Sequence, residues 1–163
     1  LSAIRHQLSA IRHQLSAMKA RRKARSLALQ VLYEVDCAHH AVEVVFRDRL
    51  ADMPVKPDVE VFARQLADGV LHYAADLDAL IQKHAPEWPL DQMATIDKTI
   101  LRMAIWEFSV SRATPLKVAI NEAVELAKLF GSESAARFVN GVLGSLAAKE
   151  NELIREIAAK VPG

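Results

Sequence analysis

The sequence predicts an all-α fold for this chain of 163 residues. Apolar residues recur at the three- and four-residue spacing of amphipathic helices, and no stretch keeps the strict alternation of a half-buried strand. Prolines, glycines and candidate capping residues fall between the apolar segments, where helices begin and end. A chain of this length is long enough to bury a real core. We therefore expect one domain of helices packed at ordinary ridge-into-groove angles.

The first 17 residues contain a repeat. LSAIRHQ in residues 1–7 recurs in residues 8–14, and a third copy breaks off at Met18. We expect residues 1–17 to be a non-native or disordered extension, such as an upstream duplication or expression sequence, and residues 18–163 to form the domain. A partner-binding helical arm is the alternative, because the apolar residues fall at heptad a and d positions. These residues are Leu1, Ile4, Leu8, Ile11, Leu15 and Met18.

In the first half of the domain the sequence pattern predicts three helices. Helical spacing of apolar residues runs from Ala24 to about Asp36, and a second helix is expected over Val42–Met53. Two prolines place a loop at Pro54–Asp58, and Asp58 suits the cap of a third helix that runs to about His84. Gly69 costs that helix about 1 kcal/mol relative to alanine, and its small size permits close contact with another helix.

The second half begins with a tight connection at Trp88, between two prolines. From Asp91 a helix follows whose residues Ile96–Phe108 are almost continuously apolar, which is typical of a helix buried on most of its surface. We take this helix as the central one. A charged tail helix is expected over Asn151–Lys160.

Between these two lies a helical hairpin with clear punctuation. Thr114 can cap its first helix, and Pro115 suits the first helical position because its missing N–H has no partner there. Gly131 can close that helix in the left-handed conformation, which glycine adopts without steric cost. Ser132 is then expected to cap the second helix.

The charge is distributed unevenly. Residues 1–33 contain seven basic and no acidic residues, whereas the remainder contains fourteen basic and twenty acidic ones. A basic arm before an acidic body indicates a polyanionic partner, although a solubilising tail is an equal alternative. Cys37 is the only cysteine, so no disulfide framework exists and a cytoplasmic location is expected. No run approaches the ~20 apolar residues that span a bilayer, so no membrane partner is expected.

No catalytic constellation is visible in the sequence. The six histidines are scattered without a metal-ligand pair at helical spacing, and Cys37 has no motif around it. Glu122 is expected on a solvated face, where neighbouring lysines can pair with it. A glycine-rich phosphate loop is also missing. The sequence therefore predicts a protein that is not an enzyme and uses no cofactor or metal.

The positive signal is for nucleic-acid binding. Five cations fall within seven residues at the start of the first helix, and Tyr33 lies on the same line further along it. Cations for phosphates with an aromatic ring for a base are what a single-stranded RNA site requires. Arg137 and Phe138 offer the same pairing again, although both aromatic residues could instead belong to the core. The five cations are Lys19, Arg21, Arg22, Lys23 and Arg25.

Five segments of the chain carry a family resemblance. The chain resembles the NusB family of bacterial transcription antitermination factors from Met18 to Ala148, and VAINEAVELAK together with FVNGVLG is highly specific. The resemblance implies an all-helical bundle of two packed three-helix subdomains plus a short additional helix. It also implies binding to boxA, a single-stranded element of nascent ribosomal RNA leaders. The segments are RRKARSLALQVLYEVD, LADGV, IDKTILRMAIWE, PLKVAINEAVELAKLFG and ARFVNGVLG.

The partners that the resemblance implies are proteins of the transcription machinery. NusE, a small-subunit ribosomal protein, would form a heterodimer with the chain, and the complex would join other Nus factors and RNA polymerase to keep ribosomal RNA transcription processive. Asp97 matches an acidic family residue at the NusE interface. Ser134 stands where some members carry aspartate, which puts one RNA contact in doubt. The RNA-binding positions carried over are Arg21, Arg22, Lys23, Arg25, Tyr33, Arg102, Arg137 and Phe138.

Two other functions stay open at this point. The chain could be a NusB-like protein-interaction module with little affinity for RNA. It could also be the helical RNA-binding part of a ribosomal RNA cytosine methyltransferase, since a similar domain precedes the catalytic domain in some of these enzymes. A homodimer is also left open, because the oligomeric state does not follow from the sequence.

Overall fold

The computed structural model describes residues 2–161, and these residues contain helices and no strand. The all-α prediction is confirmed for this part of the chain. A 3₁₀ turn, Leu90–Gln92, precedes the fourth α-helix, and a π-helical turn, Trp106–Ser111, continues it. The α-helices are α1 (Ser2–Ala38), α2 (Val42–Asp52), α3 (Pro57–His84), α4 (Thr95–Ile105), α5 (Leu116–Phe130), α6 (Ala135–Ala147) and α7 (Glu150–Ala158).

The helices form two three-helix groups around a shared core. Helix α1 packs on α3 and α2, and α5 packs on α4 and α6, while α7 lies against the π-helical turn and α6. This matches the expected arrangement of two three-helix subdomains plus one short helix. Each helix turns one apolar stripe inward, so that burial of this stripe stabilises helices of modest intrinsic propensity. The largest fully buried side chains include Leu29, Phe46, Leu66, Leu77, Leu101 and Leu143.

Helix α1 begins long before the core does. Its residues 2–19 are all exposed, and the first buried residue is Ala24. The heptad residues Ile4, Leu8, Ile11, Leu15 and Met18 are 51–57% exposed, and Leu1 lies outside the described residues. The segment is therefore helical and exposed along its length, and only Ala17 and Met18 at its end line grooves together with residues of the domain. Its origin stays a prediction.

Gly69 lets helix α3 approach the π-helical turn closely. A Cβ added to Gly69 would overlap the indole ring of Trp106. This confirms that the small residue permits close helix contact. The start of α3 differs from the prediction: the helix begins at Pro57 after Lys56, so Asp58 lies inside the first turn and does not cap it.

Helix α4 is the central helix, as its apolar run predicts. Most of its residues are buried, and the π-helical turn that follows buries Glu107, Phe108 and Ser109 as well. Arg112 ends this turn in the left-handed conformation, with φ of 57°. The wider π-helical turn matters because it places an ionisable side chain, Glu107, inside the core.

The hairpin is present, but its predicted punctuation is wrong at four positions. The Thr114 hydroxyl donates to Glu107 Oε1 at 2.9 Å, so it does not cap α5. Pro115 directly precedes α5. Gly131 has φ of −87° and ψ of 179°, which is extended backbone. The Ser132 carbonyl accepts from the Ala135 N–H, and its side chain caps nothing because α6 begins only at Ala135.

Candidate nucleic-acid interface

The Arg25 side chain points from the middle of α1 into the core. Its side chain is only 4% exposed and forms a paired contact with Glu107. Nη2 donates to Oε1 at 2.7 Å and Nε donates to Oε2 at 2.9 Å. Two parallel charge-assisted bonds fix both groups in position. A side chain held in this way joins α1 to the π-helical turn and presents no charge to solvent.

Glu122 of α5 completes this buried network and is not on a solvated face, as we had expected. It is 7% exposed, lies 3.7 Å from Arg25 Nη1 and accepts from Arg22 Nε at 3.1 Å. The expectation failed because its partners come from α1, about a hundred residues earlier in the chain. Glu107 was missed for the same reason. Its signal was an acid within an almost continuous apolar run, because a buried carboxylate requires a partner.

Three of the five predicted cations, Lys19, Arg21 and Lys23, have no acidic partner among the described residues, and Lys19 is exposed. The Arg21 guanidinium lies 4.7 Å from the centre of the Phe62 ring, an arrangement that leaves its charge at the surface. Lys23 is exposed. The structure thus divides the basic segment in the middle of α1, residues 19–25, into a buried ion pair at Arg25, a surface pair at Arg22, and cations available to a ligand.

Two grooves run along α1 and meet at Gln30 and Arg49. We call the first the α1–α2 groove, and it has a volume of about 460 Å³. The second, the Tyr33 groove, has a volume of about 480 Å³. The α1–α2 groove is lined by Arg22, Lys23, Ser26, Leu27, Gln30, Arg49, Asp52, Met53, Pro54 and Val55. The Tyr33 groove is lined by Gln30, Tyr33, Arg49, Ala94, Thr95, Ile96 and Phe130.

Because the two grooves share two side chains, they form one track that joins Arg22 and Lys23, in the middle of α1, to Tyr33. At 1.5 Å per residue, Lys23 and Tyr33 lie about 15 Å apart along the helix. Tyr33 is 43% exposed, which makes its ring accessible. A contact with the Cys37 thiol, one turn further on, raises the pKa of the Tyr33 phenol, so the phenol stays protonated at neutral pH.

Arg137 and Phe138 lie on α6 and line neither groove. Phe138 is half-buried and meets Trp88 edge to face, with ring centres 6.4 Å apart. Arg137 is exposed beside it. Ser134 directly precedes α6 and makes no capping hydrogen bond, so its hydroxyl is free of the helix terminus.

Arg102 is engaged within the protein. Its Nε and Nη2 donate to the two carboxylate oxygens of Asp78, each at 2.7 Å, and its side chain is 16% exposed. This bidentate pair joins α4 to α3. An RNA could therefore contact Arg102 only through the small exposed part of this ion pair.

Asp97 lies in the first turn of α4 and is 8% exposed. Its Oδ1 is buried beside Gly131 and finds no hydrogen-bond partner within residues 2–161. Burial raises the pKa of this carboxyl group. The predicted partner contact at Asp97 would therefore require a donor that enters from outside the chain.

A cluster of possible metal ligands joins α3 and α7. His84, Glu152 and Glu156 offer ligand atoms within 4.8 Å of one another. However, Glu156 Oε1 already accepts from His84 Nε2 and from Lys83 Nζ, each at 2.9 Å. The Lys83 ammonium thus already pairs with one of the cluster's ligand oxygens. The cluster is an ion-pair network that holds α7.

None of the helices within residues 2–161 combines the length and apolar character needed to cross a bilayer.

Comparison with known proteins places the chain among antitermination proteins. The model of the NusB family matches residues 22–148. The transcription antitermination protein NusB of Roseiflexus sp. is 45% identical over 134 residues, which cover 81% of this chain and 94% of that protein. The protein of the same name from Bacillus subtilis is 41% identical over 126 residues, covering 77% and 93%.

Solved structures with a similar fold carry the same family name. One contains antitermination factors NusB and NusE in complex with double-stranded RNA; it has a TM-score of 0.73 and 26% identity, covering 81% of this chain and 98% of that one. Another, NusB of T. maritima, has a TM-score of 0.69 and 26% identity, covering 83% and 91%.

Proposed function

The chain belongs to the NusB family of transcription antitermination proteins, and we propose that it binds single-stranded boxA RNA of nascent ribosomal RNA leaders together with NusE. The observation that carries the proposal is the similarity to the Roseiflexus antitermination protein over 94% of that protein's length. The relatives are antitermination proteins and not enzymes, which agrees with the prediction from the sequence. The methyltransferase alternative loses its basis for the same reason.

The track along α1 supports the RNA-binding part of the proposal. Arg22 and Lys23 supply positive charge in the α1–α2 groove, and Tyr33 supplies a ring on which a base can stack. Arg21 adds a surface cation beside Phe62 of α3. Phe138, with Arg137 beside it, supplies a second ring and cation on α6. Cations that attract the phosphate backbone and aromatic rings that stack bases are the two components of single-stranded RNA recognition.

The NusE part of the proposal rests on the solved complex and on Asp97. NusB and NusE occur together with RNA in a complex whose NusB has the fold of this chain. A ribosomal protein is expected to be basic, and an unpaired buried carboxylate at Asp97 is a fitting acceptor for a basic donor. The joint complex would then join other Nus factors and RNA polymerase.

Binding to boxA RNA, measured with and without NusE, tests this function. We expect weak binding alone and tighter binding with NusE, since two linked sites gain from effective concentration. With about three phosphate contacts, the logarithm of the binding constant should fall against that of salt with a slope near −2. A scrambled RNA of equal length is the control, and equal affinity for both RNAs would contradict boxA recognition.

A protein-interaction module remains the second candidate, because the structure engages three of the predicted RNA-binding arginines. Arg22, Arg25 and Arg102 each bond to a carboxylate of the chain itself. NusE binding with no measurable RNA binding would favour this module. Light scattering of the protein alone would show whether it forms a homodimer.

A further inference from the structure

We propose that a groove between α1 and α3 is a nucleobase-binding subsite, in which one RNA base stacks on the Arg21 guanidinium and Phe62 holds that guanidinium in place. This groove, the α1–α3 groove, has a volume of about 460 Å³, and both side chains line it. The inference rests on the proposed RNA-binding function and extends it. It makes Arg21 a base contact instead of a phosphate contact, and it gives Phe62 of α3 a positioning role.

The platform of the subsite is a cation stacked on a ring. The Arg21 guanidinium carbon lies over the Phe62 ring, 4.7 Å from its centre, which is within the range of cation–π attraction. Arg21 is exposed and Phe62 is half-buried, so the ring covers one side of the guanidinium and leaves the other side accessible. An arginine guanidinium plane is a surface on which an unpaired base of single-stranded RNA can stack. Because the ring already holds this plane, little conformational freedom is lost when a base binds.

The N–H groups of Arg21 remain available to a ligand. Within residues 2–161 Arg21 forms no hydrogen bond and no ion pair, whereas Arg22 and Arg25 are paired with carboxylates. Asp58 lines the same groove but makes no ion pair with Arg21. Arg21 is therefore the cation of this segment that combines a fixed position with an accessible face.

The groove suits a base better than a phosphate. Val61 is 55% exposed and provides an apolar wall, while Gln65 and Asp58 offer an amide and a carboxylate to the polar edge of a base. A phosphate in the groove would meet the negative charge of Asp58. The phosphates on either side of the base can instead meet Lys19 and Lys23, which are exposed on the same helix.

Arg21→Lys separates stacking from charge. Lysine keeps the positive charge but lacks the guanidinium plane, so affinity for a fluorescent boxA oligonucleotide should fall by about 5-fold or more, while the salt slope stays unchanged. Arg47→Lys is the matched control, because Arg47 is an exposed arginine of α2 that does not line the α1–α2, Tyr33 or α1–α3 groove. It should bind as the wild type does. Wild-type affinity of Arg21→Lys would overturn the stack.

A set of boxA oligonucleotides, each with one abasic nucleotide, identifies the stacked base. Loss of that base should weaken binding to the wild type roughly 5- to 150-fold, the range of one base stack. In Arg21→Lys the penalty should shrink at this position and stay unchanged at the others, because only this base and Arg21 are in contact. If Arg21→Lys instead weakens binding to all the oligonucleotides by the same factor, Arg21 contacts no base and the inference is overturned.

Phe62→Leu tests the positioning role. It removes the ring beneath the guanidinium and should reduce the penalty at the same abasic position, with the fold checked by circular dichroism. A folded Phe62→Leu protein with the wild-type pattern of penalties would overturn the role of Phe62. Because Phe62 is half-buried, the exposed substitution Arg21→Lys decides the question of the subsite if Phe62→Leu does not fold.

The two proposals fail in different ways. If the wild-type protein binds no boxA RNA even with NusE, the proposed function fails and the subsite fails with it. If the wild type binds but Arg21→Lys matches Arg47→Lys, the function stands and the subsite is wrong. If Arg21→Lys loses NusE binding while RNA binding persists, the groove is a protein-docking surface and the inference is overturned.

Discussion

The positive charge of Arg25 is buried in the core because acidic side chains form hydrogen bonds and ion pairs with it there. Glu107 receives two of its N–H groups, and the Thr114 hydroxyl donates to the same carboxylate. A buried charge without such partners costs several kcal/mol. The family resemblance predicts that Arg25 binds RNA. In the structure its side chain is only 4% exposed, and its charge pairs with Glu107 where α1 packs on the π-helical turn.

Arg25→Met should therefore lower the free energy of unfolding by about 3–5 kcal/mol, because Glu107 would be left buried without its counter-charge. Urea unfolding followed by circular dichroism measures this. Lys23→Met is the matched control: the same substitution at an exposed site should change stability by no more than about 0.5 kcal/mol while weakening RNA binding. A stable Arg25→Met protein that has lost RNA affinity would instead place Arg25 on the RNA surface.

Replacement of a helical glycine by alanine should have opposite effects on stability at Gly69 and at Gly144. A Cβ on Gly69 would overlap the Trp106 ring, so Gly69→Ala should destabilise the protein by about 1–3 kcal/mol despite alanine's higher helix propensity. Gly144 has nothing within 4 Å of its would-be Cβ, so Gly144→Ala should stabilise the protein by up to about 1 kcal/mol. Thermal unfolding compares the two variants, and a stabilised Gly69→Ala would contradict the close contact at Trp106.

At the scale of the elements, the sequence predicts what depends on local periodicity. The extent of α2, the C-terminal end of α3 near His84 and the central position of α4 follow from apolar spacing, because each helix must bury one stripe. Prediction fails where the same residue type can fill two different structural roles. Thr114 has a hydroxyl that suits a cap, but a buried Glu107 across the turn offers a charged acceptor and takes it. No local pattern reports such a partner.

Helix α7 is attached to α3 by an ion-pair network with a defined pH dependence. Hydrogen bonds from Lys83 and His84 hold the pKa of Glu156 below its ordinary value of 4.5. A carboxylate with a lowered folded-state pKa stabilises the fold fully above its unfolded-state pKa, and this contribution is lost as the pH falls through the folded-state value. The attachment of α7 should thus weaken below about pH 4.5.

Glu156→Gln tests this attachment. Between pH 7 and pH 3, the wild type should lose about 0.2–1 kcal/mol more stability than Glu156→Gln, the usual value of a partly exposed ion pair. Urea midpoints measured across this pH range provide the comparison. Glu152→Gln is the control, because Glu152 is exposed and its carboxylate forms no ion pair within residues 2–161, so it should follow the wild type. Identical pH profiles for the wild type and Glu156→Gln would exclude the network as a contributor.

At the scale of the whole molecule, the candidate RNA surface could be predicted only in part. The basic segment in the middle of α1 and Tyr33 lie on one helix, so their proximity could be predicted from the sequence. Phe62 could not be found in this way, because it belongs to α3 and only the packing of α1 on α3 brings its ring to the Arg21 guanidinium.

Removal of the exposed first half of α1 should change the helix content of the protein without changing its stability. Residues 2–17 are all exposed, so a chain beginning at Met18 should keep the free energy of unfolding within about 0.5 kcal/mol while losing far-UV helical signal. Urea unfolding and circular dichroism of the two chains measure both quantities. Light scattering supplies the counter-test, because the stripe from Ile4 to Met18 has heptad spacing. If the full chain forms a larger and more stable oligomer than the shortened chain, the stripe is an interface between copies of the protein. Residues 2–17 would then be a functional part of the structure.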